Sequence, residues 1–171
     1  MKNFSFRSVA VVFCGVLLLT LSTVSPVRAT GFVSRTSGTA ARLLGVSFSN
    51  ATSGLAVGDE GIIRKTTNGG TSWITSTSGT VAVLNDVFVI PNTNTAYVVG
   101  NGGVIRKTID LGTSWSAQTS GTPAGLLGVA FSNSTNGLAV GDEGVIRKTV
   151  DGGSTWRTSV SGTAVVLRDI F

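Results

Sequence analysis

The sequence of 171 residues contains no histidine and a single cysteine. Histidine and cysteine are the usual ligands of zinc and of most transition metals, so we expect no metal centre of that kind. Without histidine, catalytic centres that pair a nucleophile with an imidazole base are also excluded. We therefore expect no metal, no cofactor and no catalytic residue.

Charged residues make up only 12% of the chain, and there are three prolines against 23 glycines. After residue 30, apolar residues do not recur with the 3.6-residue period of an amphipathic helix. The abundance of glycine, serine, threonine and valine favours short strands joined by tight turns. The composition thus predicts an all-β fold.

The first 29 residues have the pattern of a secretory signal peptide. Lys2 and Arg7 precede an apolar run at 9–21, and Ala29 ends a stretch with small residues at the cleavage positions. The run is shorter than the roughly 20 residues that span a bilayer. We expect cleavage after residue 29, with an uncleaved anchor as the alternative, and export to the periplasm, thylakoid lumen or extracellular space.

Removing this segment changes the charge balance. The remainder, 30–171, keeps ten basic and eight acidic residues, so its net charge is about +2 instead of the +5 of the whole chain. Such a small excess does not favour binding to nucleic acid. We also expect no stable membrane span after cleavage.

A segment of about 41 residues occurs three times and ends each time in a tryptophan: Trp73, Trp115 and Trp156. Within each copy, turn signals separate four short apolar segments. A repeat of four antiparallel strands at this period is typical of a β-propeller blade and fits a β-solenoid or a sandwich less well. We predict a partial propeller over 30–171, with repeats at 36–76, 77–118 and 119–160 and the first strand of a fourth blade at 161–171.

Each copy ends in the pattern Ser/Thr-x-Asp-x-Gly-x-Thr/Ser-Trp, which resembles the Asp-box, or BNR repeat. Its acidic or amide side chain accepts backbone N–H groups, its glycine adopts a positive φ, and its tryptophan packs the hairpin onto the blade. In the first copy an asparagine stands at the aspartate position of the pattern. We predict structural roles for Asn68, Gly70, Trp73, Asp110, Gly112, Trp115, Asp151, Gly153 and Trp156.

A longer string, at 57–73, 99–115 and 140–156, pairs a Val-Gly-x-x-Gly stretch with the Asp-box. It resembles the blade signature of the photosystem II stability/assembly factor family. That resemblance implies a seven-bladed, exported propeller that binds a photosystem reaction-centre subunit during assembly. Seven such blades need about 290 residues. We therefore expect either a truncated chain or copies that self-associate to close a ring.

The third strand of each repeat carries a basic pair: Arg64 and Lys65, Arg106 and Lys107, Arg147 and Lys148. We predict that these residues bind a protein partner through an acidic peptide or a carboxyl terminus. The alternative is neutralisation by the adjacent acidic pairs, Asp59-Glu60 and Asp142-Glu143. Because the middle repeat lacks such a pair, Arg106 and Lys107 are the strongest candidates.

Two other functions remain open. A sialidase-like or glycan-binding Asp-box protein would need a tyrosine nucleophile, and the only tyrosine is Tyr97 in an apolar strand. The acidic pairs are adjacent in a turn, so they do not converge on a substrate as the carboxylates of glycosidases do. We expect no enzyme. The other alternative is a surface repeat module unrelated to photosynthesis.

Overall fold

The computed structural model describes residues 34–171, where twelve strands form three separate antiparallel sheets. Blade 1 has the strands β1 Leu43–Phe48, β2 Gly54–Gly58, β3 Ile62–Thr66 and β4 Ile74–Thr77. Blade 2 has the strands β5 Leu84–Val89, β6 Ala96–Gly100, β7 Val104–Thr108 and β8 Ser116–Gln118. Blade 3 has the strands β9 Leu126–Phe131, β10 Gly137–Gly141, β11 Ile146–Thr149 and β12 Arg157–Ser159.

The strands of each blade lie in sequence order, so every neighbour is joined by a hairpin. A short 3-10 turn links the second strand to the third in each blade: Asp59–Gly61, Asn101–Gly103 and Asp142–Gly144. Gly61 has a positive φ, and a Cβ there would lie 2.0 Å from the carbonyl oxygen of Thr80. The turn therefore needs glycine because the segment leading to the next blade crosses directly over it.

The hydrophobic cores lie between the blades. One cluster joins Leu55 and Ile63 of blade 1 to Leu84 and Leu111 of blade 2. A second cluster joins blade 2 to blade 3: Tyr97, Ile105, Leu126, Phe131 and Trp156 are among its members. The second strands of blades 1 and 2 are buried throughout, as expected for strands covered on both faces. This face-to-face stacking is that of a β-propeller, and it confirms the predicted fold class.

The first strands of neighbouring blades lie side by side. The backbone N–H of Val89 donates to Ser47 Oγ at 3.0 Å, and that of Val129 donates to Asp86 Oδ2 at 2.9 Å. A Cβ on Gly45 would lie 3.0 Å from the Cα of Asp86. The glycine therefore allows the close approach of the two inner strands.

The sequence predicts the first strand of a fourth blade at 161–171, and no strand is assigned to this segment within the described residues. The N–H of Leu167 donates to the carbonyl of Gly141 at 2.9 Å, and Asp169 lies against Gly128 as Asp86 lies against Gly45.

The predicted signal peptide, residues 1–29, lies outside the described residues. Between residues 34 and 171, no helix is long and apolar enough to cross a membrane.

Candidate partner-binding site

In blade 1 the arginine of the basic pair is held inside its own blade. Arg64 is only 7% exposed. Its Nε donates to the carbonyl of Ser37 at 2.8 Å, its Nη2 donates to the carbonyl of Trp73 at 2.8 Å, and its Nη1 donates to Thr75 Oγ1. All three guanidinium nitrogens therefore have an acceptor within the fold.

Blade 3 repeats most of this arrangement. Arg147 is also 7% exposed, its Nη2 donates to the carbonyl of Trp156 at 2.9 Å, and its Nη1 donates to Thr158 Oγ1. Its Nε has no hydrogen-bond partner among the residues that the structure describes. A Cβ on Gly121 would lie 2.5 Å from Nη2, so the chain closes tightly over the guanidinium.

The arginine of blade 2 is held differently. Arg106 is half-buried, and within residues 34–171 its one hydrogen bond runs from Nη2 to the carbonyl of Gly79 at 2.6 Å. The strand register places Ala117 opposite Arg106, where Thr75 lies opposite Arg64. Because alanine offers no hydroxyl, most of the guanidinium donors of Arg106 remain available to a partner.

In blades 1 and 2 the lysine of the pair lies on the opposite side of the strand from its arginine and contacts the following blade. Lys65 Nζ lies 3.3 Å from Thr113 Oγ1, and Lys107 Nζ donates to the carbonyl of Gly152 at 2.6 Å. Lys148 is exposed. The six basic side chains therefore do not form one continuous surface: the arginines lie within their blades and two of the lysines bridge blades.

Neutralisation by the adjacent acidic pairs, the alternative considered for these residues, is wrong. Asp59 forms its ion pair with Arg42 at 3.2 Å, and this is the one ion pair within the described residues. The arginines bond to carbonyl and hydroxyl oxygens instead. Arg106 differs from Arg64 and Arg147 because Ala117 lies opposite it, where the other two arginines bond to a threonine hydroxyl. The missing acidic pair in blade 2 does not cause this difference.

The Asp-box carboxylates are saturated with hydrogen bonds. In blade 3, Asp151 Oδ1 accepts from the N–H of Thr155 at 2.9 Å and from Thr149 Oγ1 at 2.8 Å, while Oδ2 accepts from Thr155 Oγ1 at 2.6 Å. These bonds, chiefly that of the Thr155 hydroxyl, lower the pKa of Asp151 to about 2. The carboxylate is therefore ionised at neutral pH and closes the turn.

The other two boxes have the same geometry. Asp110 bonds to Ser114 and Thr108, and these bonds, that of the Ser114 hydroxyl first, hold its pKa well below its usual range. In blade 1, Asn68 Oδ1 accepts from the N–H of Ser72 at 2.9 Å and its Nδ2 donates to the hydroxyl of the same residue at 2.8 Å. Asparagine thus closes the turn without a charge.

Tyr97 has the contacts of a core residue. Its ring is fully buried and stacks on Phe131 with centroids 3.9 Å apart, and its hydroxyl donates to the carbonyl of Gly152 at 2.7 Å. Burial raises the pKa of Tyr97 to about 12. A tyrosine in this state is not presented to a substrate, so this geometry gives no support to a sialidase-like function. Among residues 34–171, no three His, Cys, Asp or Glu side chains cluster as metal ligands would.

Sequence reasoning missed the acceptors that hold the arginines. A signal for them exists, because Ser-Gly-Thr recurs before each blade, beginning at Ser37, Ser78, Ser120 and Ser161. Each arginine contacts the copy that precedes its own blade. The alternation of Thr75, Ala117 and Thr158 opposite the arginines is the second signal.

Four-stranded antiparallel blades that stack face to face define this chain as a β-propeller protein. The sequence model of the photosynthesis system II assembly factor YCF48 family matches residues 33–169. The chain therefore belongs to that family, as its blade signature predicted. No curated protein matches the sequence.

Two solved structures are similar to this chain. One, described as YCF48 bound to D1 peptide, has a TM-score of 0.66 at 24% identity, covering 74% of this chain and 42% of that one. The other, YCF48 from Cyanidioschyzon merolae, has a TM-score of 0.62 at 24% identity, covering 72% of this chain and 41% of that one. At this identity the likeness shows the fold alone. The chain spans less than half the length of either structure.

Proposed function

We propose that this chain is an exported, non-catalytic scaffold that binds an acidic segment of a reaction-centre subunit during photosystem II assembly. Family membership supports the link to assembly. The solved YCF48 structure with a D1 peptide supports a peptide of that subunit as the ligand. Export rests on the signal-peptide pattern of residues 1–29.

The observation that carries this proposal is the unfilled hydrogen-bonding capacity of Arg106. The single bond to the Gly79 carbonyl fixes the guanidinium in place while its other donors stay open. A planar guanidinium can bind a carboxylate with two parallel hydrogen bonds. Partial burial lowers the local dielectric and strengthens such a pair relative to a fully exposed one.

The remaining basic residues rank below Arg106. Arg64 and Arg147 already donate within their blades, and Lys65 and Lys107 already contact the following blade. Lys148 is exposed and lines a cavity beside β10 and β12 that does not include Arg106. Binding of an acidic segment therefore centres on blade 2.

The absence of catalysis is proposed on the chemistry of the described side chains. The Asp-box carboxylates are bonded within their turns, and Tyr97 is buried with its hydroxyl bonded to a carbonyl. These groups serve the scaffold and offer no proton or nucleophile to a substrate.

Binding of a synthetic peptide of the D1 carboxyl terminus to the full chain, followed by calorimetry, tests the proposal. We expect Arg106→Gln to weaken binding about tenfold or more, because hydrogen bonds to charged groups contribute about 1.5–3 kcal/mol. Arg106→Lys should recover only part of the loss, since an ammonium cannot bind a carboxylate in the same two-bond geometry.

The matched control is Arg42→Gln, which removes an exposed arginine already paired with Asp59. It removes the same charge and should leave the affinity unchanged. Equal losses for Arg42→Gln and Arg106→Gln would mean that net charge alone attracts the peptide. An unchanged affinity for Arg106→Gln would overturn the proposed site.

A further inference from the structure

The turn between the second and third strands has a different sequence in blade 2. Blades 1 and 3 have Asp-Glu-Gly there, at 59–61 and 142–144, whereas blade 2 has Asn101, Gly102 and Gly103. An asparagine followed by glycine is prone to deamidation, because glycine has no side chain to hinder attack by its backbone nitrogen on the asparagine amide. The turn of blade 2 is therefore a candidate for covalent modification.

The chain contains two other Asn-Gly pairs, and the structure holds both in place. The N–H of Gly69 donates to a carbonyl of the neighbouring hairpin at 2.8 Å, and Asn68 bonds to Ser72 through both side-chain atoms. Gly137, which follows Asn136, is a buried residue of β10, where a Cβ would lie 2.6 Å from a phenylalanine ring. Attack by either glycine nitrogen therefore requires local opening of the fold.

The pair in blade 2 has no such restraint. Asn101 and Gly102 are exposed, and a Cβ on Gly102 would meet no atom within 4 Å. In the outer blades the residue after the turn donates its N–H to the aspartate carbonyl, but among the described residues no such bond runs from Val104. Two consecutive glycines and a missing bond lower the cost of the backbone rotation that brings the nitrogen of Gly102 to Cγ of Asn101.

A neighbouring side chain polarises the amide of Asn101. Asn85 Nδ2 donates to Asn101 Oδ1 at 2.9 Å and to the carbonyl of Leu126 at 2.8 Å. The second bond fixes the donor, because Leu126 belongs to the inner strand of the next blade. When the nitrogen of Gly102 adds to Cγ, negative charge develops on Oδ1, and a donor already in position stabilises that charge. Asn85 therefore favours attack on the amide.

We propose that Asn101 deamidates spontaneously in the folded chain, through attack by the backbone nitrogen of Gly102 and with Asn85 as a positioning residue. A bond forms between that nitrogen and Cγ of Asn101, the nitrogen loses its proton, and the side-chain amide leaves as ammonia. Water then opens the cyclic imide at one of its two carbonyls. One opening yields aspartate, the residue that the outer blades have, and the other yields isoaspartate.

The product carboxylate lies at the junction of blades 2 and 3. A Cβ on Gly125 would lie 2.6 Å from Asp142 Oδ2 and 3.6 Å from Asn101 Oδ1, so both side chains face this glycine. In blade 1, Arg42 stands at the position of Gly125 and forms an ion pair with Asp59. Because glycine offers no charge there, deamidation places a second carboxylate beside Asp142 without a cation to offset it.

Peptide mapping of the full chain by tandem mass spectrometry, after incubation at neutral pH in water labelled with heavy oxygen, measures the reaction at each asparagine. The label enters only when water opens the imide, and digestion in mild acid prevents reaction during preparation. We expect Asn101 to react about tenfold or more faster than Asn68 and Asn136, because those two wait for local opening. In urea the three rates should become similar, since the fold then restrains none of the pairs.

Gly102→Glu is the matched variant, because blades 1 and 3 have a glutamate at this position with a φ of 58°. It should slow the reaction at Asn101 about tenfold or more, by hindering the attacking nitrogen, and leave the rate at Asn68 unchanged. Asn85→Leu removes the donor to Oδ1 and should slow the reaction about fivefold in the folded chain, with no effect in urea. A purely structural role of Asn85 would instead make Asn85→Leu faster, because the turn would loosen.

Asn101→Asp reproduces one product and should lower the urea midpoint of the chain, whereas adding Asp142→Asn should restore it, since only one carboxylate then faces Gly125. Equal rates at the three asparagines of the folded chain, or an unchanged rate in Gly102→Glu, would overturn the modification site. Faster reaction in Asn85→Leu would overturn the role of Asn85. An unchanged midpoint in Asn101→Asp would overturn the effect on the junction.

Discussion

Blades 1 and 3 each hold their arginine with a threonine of the fourth strand, whereas blade 2 has Ala117 at that position. The outer two blades also have a glycine after the Asp-box aspartate or asparagine and a leucine on the second strand, where blade 2 has Leu111 and Tyr97. All three blades nevertheless have the same strand order and the same turns. The differences therefore leave the scaffold unchanged and alter what each blade presents to its neighbours and to a partner.

This comparison separates two uses of one side chain. In both outer blades the guanidinium joins the third strand to the tryptophan carbonyl and to the threonine of the fourth strand, and in blade 1 it also donates to the preceding linker at Ser37. In the middle blade the same guanidinium is positioned by one carbonyl and keeps its other donors. A repeat protein can thus leave guanidinium donors open in one blade when the fourth strand lacks a single hydroxyl.

The largest effect is expected at the junction of blades 2 and 3. Tyr97→Ala removes a fully buried ring and should lower the free energy of unfolding by about 3–5 kcal/mol. The equivalent change on blade 3, Leu138→Ala, removes a half-buried side chain and should cost about 1 kcal/mol. Urea denaturation of both variants measures the difference. Equal losses would mean that the two faces are equally covered in solution.

A smaller contrast is expected between the arginines. Arg147→Met leaves the carbonyl of Trp156 without its donor, and this should cost about 1–3 kcal/mol of unfolding free energy. Arg106→Met, at a half-buried position with one hydrogen bond, should cost less than about 1 kcal/mol. Chemical denaturation compares the two variants. A larger loss for Arg106→Met would contradict the assignment of structural and binding arginines.

The smallest expected effect is a loss of folding stability at acid pH. The folded-state pKa of Asp151 is about 2 against an ordinary value of 3.8, so its stabilisation is complete above pH 3.8 and is lost as the pH falls toward 2. Asp110, whose pKa is also lowered, acts in the same direction. Blade 1 has Asn68 and no such dependence.

Replacing both aspartates by asparagine should therefore flatten the decline of stability below pH 4, measured by denaturation at several pH values. The contribution of Asp86 to stability changes with pH in the opposite direction, because burial raises its pKa and favours its protonated form in the folded state. A double variant that declines as steeply as the original chain would show that the Asp-box hydrogen bonds do not produce the acid sensitivity.

The repeat period and the turn signals were sufficient to predict the three blades and their four antiparallel strands, and the resemblance of the longer string at 57–73 and its two copies predicted the family. The partners of the arginines could not be predicted in the same way. Proximity in sequence suggests that Asp59 and Glu60 neutralise Arg64, but the ladder register places Arg64 opposite Thr75 and its Nε donates to the linker carbonyl of Ser37. Likewise, Leu111 and Leu55 belong to one hydrophobic cluster although they are 56 positions apart in the sequence. Their proximity follows from the stacking of the blades and could not be predicted from the sequence.

The central claim is that Ala117 leaves Arg106 available to bind an acidic segment. The most direct measurement is a double-mutant cycle of Ala117→Thr and Arg106→Gln in the full chain, with the affinity for the D1 carboxyl-terminal peptide as the readout. Ala117→Thr restores the hydroxyl found in the outer blades, so it should weaken binding without changing the charge, and it should have no further effect once Arg106 is glutamine. Unchanged or tighter binding in Ala117→Thr, or an equal loss in the Arg106→Gln background, would contradict the claim.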